Sequence, residues 1–301
     1  MSDIKLFQLD GNKVTQLISS SMALEKSLQT LIERHLEEFL GVRFLATEYP
    51  TGPNHGGRID SLGVDENGCP VIIEFKRAVN ENVVTQGLFY LDWLMDHKAD
   101  FKLLVIEKLG KEVADAIVWT TPRLLCIAGD FTKYDEHAVK QMGRNIELIR
   151  YRHYSNLLLF ELVNSTGKEL IVTADADGLP TKKSWDKTVT EQLEQADREI
   201  KDLYQSIQDY LLALGDDVQI NTLKLYVAFK RIKNFVCVQV QQKGITVYLN
   251  LDPASVKLEK GFTRDMSKIG HWGTGNLEVV IRSDDDFVKA QSLFAKAYEV
   301  S

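Results

Sequence analysis

The stretch Arg58–Lys76, RIDSLGVDENGCPVIIEFK, has the pattern of a β-hairpin. Asp60, Leu62 and Val64 recur at a period of two, as residues on one face of a strand do. The sequence DENG at positions 65–68 is a turn signal, because Asn and Gly tolerate the positive φ that tight hairpins need. The first half of this stretch therefore predicts a strand that runs into a tight turn.

The second half of the stretch begins with a short apolar run at positions 71–73. Such a run is typical of a strand that is buried on both faces. Glu74 and Lys76 follow it two residues apart, so they point to the same side of the sheet. Charged residues at the end of a buried strand need a partner or a function, because burial of a polar group is costly.

The length of the turn decides whether the two acidic residues meet. If residues 66–68 form a three-residue loop, Asp60 lies opposite Glu74, with Cβ atoms about 5 Å apart. Carboxylates this close repel each other unless a cation lies between them, and their oxygen atoms suit Mg²⁺ or Mn²⁺. A two-residue loop at positions 67–68 would instead pair Asp60 with Phe75 and separate the acids. The metal site therefore depends on the longer loop or on a bulge.

Composition limits the possible classes of protein. The chain has 301 residues, of which 44% are hydrophobic, enough for one large or two ordinary domains. No run approaches 18 apolar residues and the first ten residues lack a signal-peptide core, so we expect a cytoplasmic protein with no membrane partner. The three cysteines are far apart, which indicates buried thiols rather than a disulfide or zinc set. A net charge of −7 counts against non-specific nucleic-acid binding.

Helices and strands alternate around the hairpin. We predict helices over 19–41, 81–97, 110–117 and 131–142, strands over 42–49, 123–128, 145–151 and 157–163, and a strand or helix end at 101–106. This alternation favours an α/β (α+β) class with a mixed sheet flanked by helices. On the first helix Glu33 belongs to an acidic face that is either solvated or within reach of a metal site. On the second helix Gln86 and Tyr90 lie one turn apart on one side, close to Lys76.

The composition changes at residues 166–187, which are rich in turn residues and read as a linker between domains at 1–165 and 188–301. Thr188 and Glu191 form a capping box that opens a long helix. Apolar residues at heptad spacing form a seam along this helix: Leu193, Ala196, Ile200, Leu203, Ile207, Tyr210 and Leu214. The seam either pairs two subunits or packs on the domain's own sheet. Strands near 224–230, 235–241, 245–251 and 277–282 and a final helix capped by Ser283 complete a smaller α+β domain.

Taken together, these motifs resemble the PD-(D/E)XK nuclease superfamily. The matching residues are Ile59, Asp60, Glu74, Phe75, Lys76, Gln86 and Tyr90. Gln86-x3-Tyr90 is similar to a motif of the RecB-like branch, and GGRID followed by IIEFKR looks like the mismatch endonucleases of the NucS type. Ile59 stands where the name-giving motif has Pro. Residues from about 190, with the stretch HWGTGN, look like a domain of unknown function that often follows such nuclease-like domains.

The resemblance implies a restriction-endonuclease-like fold and a metal-dependent endonuclease. Asp60, Glu74 and the backbone carbonyl of Phe75 would bind Mg²⁺ or Mn²⁺, and Lys76 would orient or deprotonate the attacking water. The substrate would be a nucleic acid, DNA in the first place. The products would be a 5′-phosphate and a 3′-hydroxyl.

Further residues have a supporting role in this hypothesis. Gln86 and Tyr90 would position the scissile strand or the lysine, and Arg58 and Arg77, which flank the site, are candidate phosphate contacts. Trp272 has two possible roles. If its side chain is exposed it would stack on a base, and if it is buried it anchors its loop to the core.

Other functions remain open at this point. The acidic and lysine residues could form a structural buried salt-bridge cluster. The chain could be a non-catalytic nucleic-acid- or nucleotide-binding module that keeps the nuclease fold, or a scaffold that acts as a homodimer through the long helix. An intact acidic pair favours catalysis, because a module that only binds phosphate gains nothing from it.

Overall fold

The computed structural model describes residues 4–19, 25–76, 83–165, 188–271 and 273–301. The chain forms two compact units. The first contains residues 1–64, 70–117 and 122–166, and the second contains residues 65–69, 118–121 and 167–301.

The first unit begins with a small hairpin of β1 (Leu6–Asp10) and β2 (Lys13–Leu17). The remaining elements up to the end of this unit are α1 (Glu25–Arg34), α2 (Leu36–Leu40), β3 (Val42–Pro50), α3 (Gly52–His55), β4 (Arg58–Asp65), β5 (Pro70–Lys76), α4 (Val83–Asp96), α5 (Lys98–Leu109), α6 (Lys111–Asp115), β6 (Arg123–Ala128), α7 (Lys133–Gln141), β7 (Asn145–Tyr154) and β8 (Leu157–Ser165).

Strands β3 to β8 form one sheet in sequence order. β4 and β5 are antiparallel, β5, β6 and β7 are parallel, and β7 and β8 are antiparallel. The predicted mixed sheet flanked by helices is confirmed.

The register of the β4–β5 hairpin is the one that brings the acids together. Ser61 pairs with Ile73 and Val64 pairs with Pro70, so Asp60 falls opposite Glu74. The buried Asp65 carboxylate stabilises the turn, because its Oδ1 accepts the N–H groups of residues 67 and 69 at 2.9 and 2.8 Å. The three-residue loop predicted as one of two alternatives is confirmed.

The centre of the sheet is apolar on both faces. All residues of β6 are buried, as are those of β5 up to Phe75. One ion pair is enclosed there: Arg123 donates to Glu147 through Nε and Nη2, both at 3.0 Å. The two side chains are 2% and 0% exposed. Such a pair tolerates burial because each charge is neutralised by a directed hydrogen bond.

Two predicted elements of the first unit differ from the structure. The helix predicted over 19–41 is divided into α1 and α2 at His35, whose N–H bonds to the carbonyl of Ile32 three residues back instead of continuing the α-helical pattern. Residues 101–106, predicted as a strand or helix end, lie inside α5. The apolar residues of this short segment fit either a buried strand or a buried helix, so their periodicity alone does not decide.

The second unit is built on an antiparallel sheet with the strand order β13-β14-β12-β11-β10-β9. Its elements are α8 (Val189–Gln195), α9 (Arg198–Leu212), β9 (Gln219–Thr222), β10 (Val227–Lys230), β11 (Asn234–Gln241), β12 (Gly244–Leu249), a 3₁₀ turn at Pro253–Ser255, β13 (Thr263–Asp265), β14 (Leu277–Ile281) and α10 (Asp284–Glu299). Helices α9 and α10 pack on one face of this sheet. Ser283 caps α10 as predicted, since its hydroxyl accepts the N–H of Asp286. The short strands β9 and β13 have no counterpart among the predicted elements.

The long helix predicted from Thr188 is interrupted. The capping box of Thr188 and Glu191 is present, but Ala196 and Asp197 have extended backbone angles that separate α8 from α9. The predicted seam turns inward, because Ile200, Leu203 and their neighbours along α9 pack in the core of their own unit. Of the two interpretations of the seam, packing on the domain's own sheet is the observed one. The homodimer stays a prediction without support from this helix.

No helix among the described residues is long and apolar enough to cross a membrane.

Candidate active site

The predicted site residues lie on one face of the β4–β5 hairpin. Asp60 is half-buried, Glu74 is fully buried, and Lys76 is half-buried at the end of β5. Glu74 and Lys76 share a face because they are two residues apart on one strand. The register adds Asp60 to the same face from the neighbouring strand. Two carboxylates and one ammonium group therefore converge at the end of an otherwise apolar pair of strands.

Backbone hydrogen bonds interlock the two acids. The N–H of Asp60 donates to Glu74 Oε1 at 3.2 Å, and the N–H of Phe75 donates to Asp60 Oδ2 at 2.9 Å. Each carboxylate thus reaches across to the backbone of the strand that carries the other. These bonds limit the rotation of both side chains, so that the carboxylates are held in fixed positions before any ligand binds.

The donor set fits a hard divalent cation. Carboxylate oxygens are the ligands that Mg²⁺ and Mn²⁺ prefer, and an ionised carboxylate has about four acceptor directions, so the observed bonds are compatible with ligation. Among the described parts of the chain, no group of three or more His, Cys, Asp and Glu side chains is close enough to hold a metal. The predicted set of Asp60, Glu74 and the Phe75 carbonyl needs only two such side chains.

Cys126 lies next to Glu74 on the parallel strand β6, because these residues are register partners. Its thiol is completely buried, and burial together with the negative charges of Glu74 and Asp135 raises its pKa. A thiol with a raised pKa stays protonated and is a poor metal ligand. The neighbourhood of Glu74 therefore offers oxygen rather than sulfur ligands.

Helix α4 covers the same face of the sheet. A Cβ at Gly87 would lie 2.5 Å from Leu124 Cδ1, so this helix approaches β6 closely, and Leu124 pairs with Ile72 on the face that carries Glu74. The hydroxyl of Tyr90 accepts the backbone N–H of Arg58 at 3.2 Å. Gln86 and Tyr90 lie on the same side of this helix, as predicted, and Gln86 Nε2 donates a 3.3 Å bond to the same hydroxyl.

The glycine before Arg58 makes room for this tyrosine. A Cβ at Gly57 would lie 2.6 Å from the Tyr90 hydroxyl oxygen and 2.8 Å from Cε1. Real Cβ atoms do not approach other atoms so closely. The close passage of the Tyr90 ring therefore explains the second glycine of the GGR sequence that precedes Asp60.

Other candidates from the sequence have different outcomes. The side chain of Arg58 is exposed, as a phosphate contact would be. Arg77 and Trp272 lie outside the described residues. Glu33 does not join the acidic pair, because its Oε1 accepts a 2.6 Å bond from the Ser61 hydroxyl. Adjacent residues of a strand point to opposite faces, so Ser61 and Glu33 lie behind the face that carries Asp60.

The sequence interpretation missed Gln29, which contacts the strand of the site directly. Its side chain is only 3% exposed, and its Nε2 donates to the backbone carbonyl of Asp60 at 2.7 Å. In the sequence Gln29 stands on the line of Glu25 and Glu33, at a spacing of four that indicates a polar helix face. Only its position next to the apolar Leu28 could have suggested burial.

The HWGTGN loop of the second unit has a structural explanation. Gly273 and Gly275 have φ values of 89° and 119°, and a Cβ at Gly275 would meet the backbone of Leu249 at 2.6 Å. Between them the N–H of Thr274 donates to the Cys237 sulfur at 3.3 Å. The glycines therefore allow the loop to lie directly on the sheet.

Comparisons with known proteins identify relatives of both parts of the chain. Residues 189–301 match the model of a domain of unknown function, DUF5655. The chain is 29% identical to a protein of Haemophilus influenzae described as uncharacterized, over 316 residues that cover 98% of this chain and 99% of that protein.

Similarity to solved structures is more distant. A repair endonuclease from Pyrococcus abyssi shares 22% identity, with 46% of this chain and 51% of that chain covered and a TM-score of 0.29. EndoMS in a complex with dsDNA shares 18% identity, with 49% and 64% covered and a TM-score of 0.26. The chain thus spans about half of the first of these chains and less than two thirds of the second.

Proposed function

We propose that this protein is a divalent-metal-dependent endonuclease that hydrolyses phosphodiester bonds in DNA. The observation that supports it best is the register of β4 and β5, which brings Asp60 and Glu74 to one face with Lys76 beside them. Titratable groups gathered at the end of a buried strand are typical of functional sites. A purely structural cluster is the weaker explanation, because charged groups need very good geometry to offset the cost of burial and such a cluster adds little stability by itself.

In this proposal Asp60 and Glu74 hold Mg²⁺ or Mn²⁺, with the backbone carbonyl of Phe75 as a further ligand. A bound divalent ion supplies charge neutralisation at the phosphate and lowers the pKa of a water molecule. The backbone bonds to both carboxylates keep their geometry constant, which reduces the reorganisation that ligand binding requires.

The remaining residues act on the attacking water and the substrate. Lys76 orients the water and adds positive charge near the phosphoryl group as negative charge develops there. The water oxygen forms the new bond to phosphorus while the bond to the 3′ oxygen breaks, which leaves a 5′-phosphate and a 3′-hydroxyl. Tyr90, supported by Gln86, fixes the backbone at Arg58, so that the exposed guanidinium can meet a neighbouring phosphate.

DNA is proposed as the substrate because the motif set resembles DNA-cleaving members of the superfamily, and the similar solved structures include a repair endonuclease and a dsDNA complex. The formal net charge of −7 restricts the phosphate-binding surface to local basic residues and to the metal. We therefore expect weak binding to DNA without divalent ions and a shallow dependence of that binding on salt, because few phosphate contacts release few counterions.

The test compares cleavage of labelled single-stranded, duplex and branched DNA, and of matched RNA, in Mg²⁺ or Mn²⁺. Glu74→Gln keeps the side-chain volume and removes the charge, whereas Asp92→Asn removes an exposed carboxylate from α4 and is the matched control. We expect cleavage by the wild type and by the control, and none by Glu74→Gln or with EDTA.

Metal binding provides a readout that does not depend on cleavage. An ion that binds only the folded protein stabilises it by about 2.7 kcal/mol at a hundredfold excess over its Kd. The wild type should show this shift in thermal unfolding and Glu74→Gln should not. DNA binding without cleavage and without a metal shift would instead support a non-catalytic binding module. Cleavage that survives Glu74→Gln and EDTA would contradict the assignment of the site.

A further inference from the structure

Asp60 stands where the regular pairing of β4 and β5 gives way to side-chain contacts. The described pairs of this ladder run from Ser61 opposite Ile73 to Val64 opposite Pro70. At Asp60 the backbone N–H bonds to a side-chain oxygen of Glu74. At this position a side chain therefore takes the place of a ladder bond in holding the backbone that carries the first carboxylate.

The carbonyl of Asp60 is held by Gln29 from helix α1. Gln29 Nε2, which carries two hydrogens, lies within hydrogen-bond distance of three acceptors: this carbonyl at 2.7 Å, Glu33 Oε1 at 2.9 Å and Thr47 Oγ1 at 3.1 Å. Its Oε1 accepts a 3.3 Å bond from Lys26 Nζ, which fixes the orientation of the amide. One buried amide thus connects α1, β3 and β4.

A second bond from the same helix supports the next residue of β4. Glu33, one helical turn after Gln29, accepts the hydroxyl of Ser61 at 2.6 Å, and its Oε1 is also an acceptor for Gln29. Two consecutive residues of the strand are therefore fixed by two consecutive turns of α1. The bond to Ser61 lies behind the strand, on the side away from the Asp60 carboxylate, because adjacent side chains of a strand point to opposite faces.

We propose that Gln29 is a positioning residue for the Asp60 carboxylate. It touches neither substrate nor metal and acts by fixing the backbone that carries the acid, with Glu33 as its support. This inference rests on the proposed nuclease function for its effect on metal affinity. Its structural part, the tether on Asp60, does not depend on that function.

The consequence should appear in metal affinity more than in DNA affinity. If the amide is lost, the Asp60 backbone can shift, and the two carboxylates no longer keep one spacing. Removal of groups that orient metal ligands typically lowers metal affinity about 10- to 100-fold. Excess metal should restore most of the cleavage, because the ligands themselves remain.

The experiment uses Gln29→Leu in the full-length protein. Leucine is similar in size to glutamine but has no hydrogen-bond donor in its side chain. Thr30→Ala is the matched control, because Thr30 is exposed on the same helix and its hydroxyl bonds only to the backbone of Lys26 among the described contacts. The measured quantities are the Mn²⁺ Kd by electron paramagnetic resonance, the Mn²⁺ concentration for half-maximal cleavage, and the DNA Kd at a Ca²⁺ concentration that saturates the wild type and the variant. We expect both Mn²⁺ values to rise about 10- to 100-fold in Gln29→Leu, with an unchanged DNA Kd, and no change in Thr30→Ala.

Hydrogen exchange of the metal-free protein tests the tether on Asp60 separately from its effect on metal affinity. Peptides that contain Asp60 and Ser61 should exchange faster in Gln29→Leu than in the wild type, whether or not the wild type proves to be a nuclease. Faster exchange with no metal binding by the wild type would support the tether and refute the proposed function. Unchanged exchange at Asp60, or a lower melting temperature with an unchanged Mn²⁺ Kd, would overturn the inference and leave Gln29 a purely structural residue.

Discussion

The close contact between Gly57 and Tyr90 predicts that Gly57→Ala reduces both stability and activity. In Gly57→Ala the new methyl group would lie 2.6 Å from the tyrosine hydroxyl, whereas ordinary van der Waals contact begins at 3.4 Å. Real Cβ atoms essentially never come closer than 3.0 Å to another atom, so the two must separate by at least 0.4 Å, and by 0.8 Å to reach ordinary contact. The bond from the Arg58 N–H, now 3.2 Å long, cannot survive such a shift along its direction.

The expected cost follows from this displacement. Overpacking of a buried site costs about 1–3 kcal/mol, and loss of the bond to the hydroxyl contributes about 0.5–1.5 kcal/mol within the same range. The backbone itself tolerates alanine, because the φ of Gly57 is not in the left-handed region. We expect the free energy of unfolding of the first unit to fall by about 1–3 kcal/mol, and DNA cleavage to fall by up to about 100-fold, the loss that a misplacement by about 1 Å can cause.

Gly143→Ala is the matched control, because a Cβ there meets no atom within 4 Å and its φ is also outside the left-handed region. The assays are urea denaturation and cleavage of labelled duplex DNA. A double-mutant cycle with Tyr90→Ala tests the cause: once the ring is gone, Gly57→Ala should have little further effect. The reasoning is refuted if Gly57→Ala behaves like Gly143→Ala, or if its cost is undiminished in the Tyr90→Ala background.

Three further predictions concern residues away from the site. Arg123→Met should lower the free energy of unfolding in urea by about 3–5 kcal/mol, because it leaves the buried Glu147 without the guanidinium of Arg123. The double variant with Glu147→Leu should recover most of this loss. Burial raises the pKa of the Cys237 thiol to about 12, so Ellman's reagent at pH 8 should label it only after unfolding. Although burial alone would raise the pKa of Asp217, hydrogen bonds from Arg231 and from a tyrosine lower it below 3.8. Asp217→Asn should therefore reduce the melting temperature at pH 7, and this difference should disappear as the pH falls below 3.8.

Each of these has a contrary outcome. Recovery would be absent in the double variant if Arg123 and Glu147 did not act as a pair. Rapid labelling of Cys237 in the native protein would show that its strand is open to solvent. An effect of Asp217→Asn that persisted unchanged to pH 3 would mean that the ionised form of Asp217 does not carry the stabilisation.

The sequence by itself determined the features that depend on a few neighbouring residues. A turn at residues 65–68 follows from the residue types, although its length was left open until the structure showed that the Asp65 carboxylate bonds within its own three-residue loop. The capping box of Thr188 and the spacing of Gln86 and Tyr90 likewise involve residues three or four apart. Once the turn had the longer form, the alternation of strands placed Asp60 and Glu74 on one face, and the candidate site followed.

Only the tertiary structure decided features in which distant segments compete for the same surface. The break at Ala196 leaves the apolar seam continuous in the sequence, and packing in its own core rather than a second chain covers it. Gln29 is 31 residues from Asp60, and in the sequence it lies on the same helix line as the acidic residues Glu25 and Glu33. Local patterns report which residues are polar, but the burial of one amide against one carbonyl is set by how α1 lies on the sheet, and that depends on packing over the whole unit.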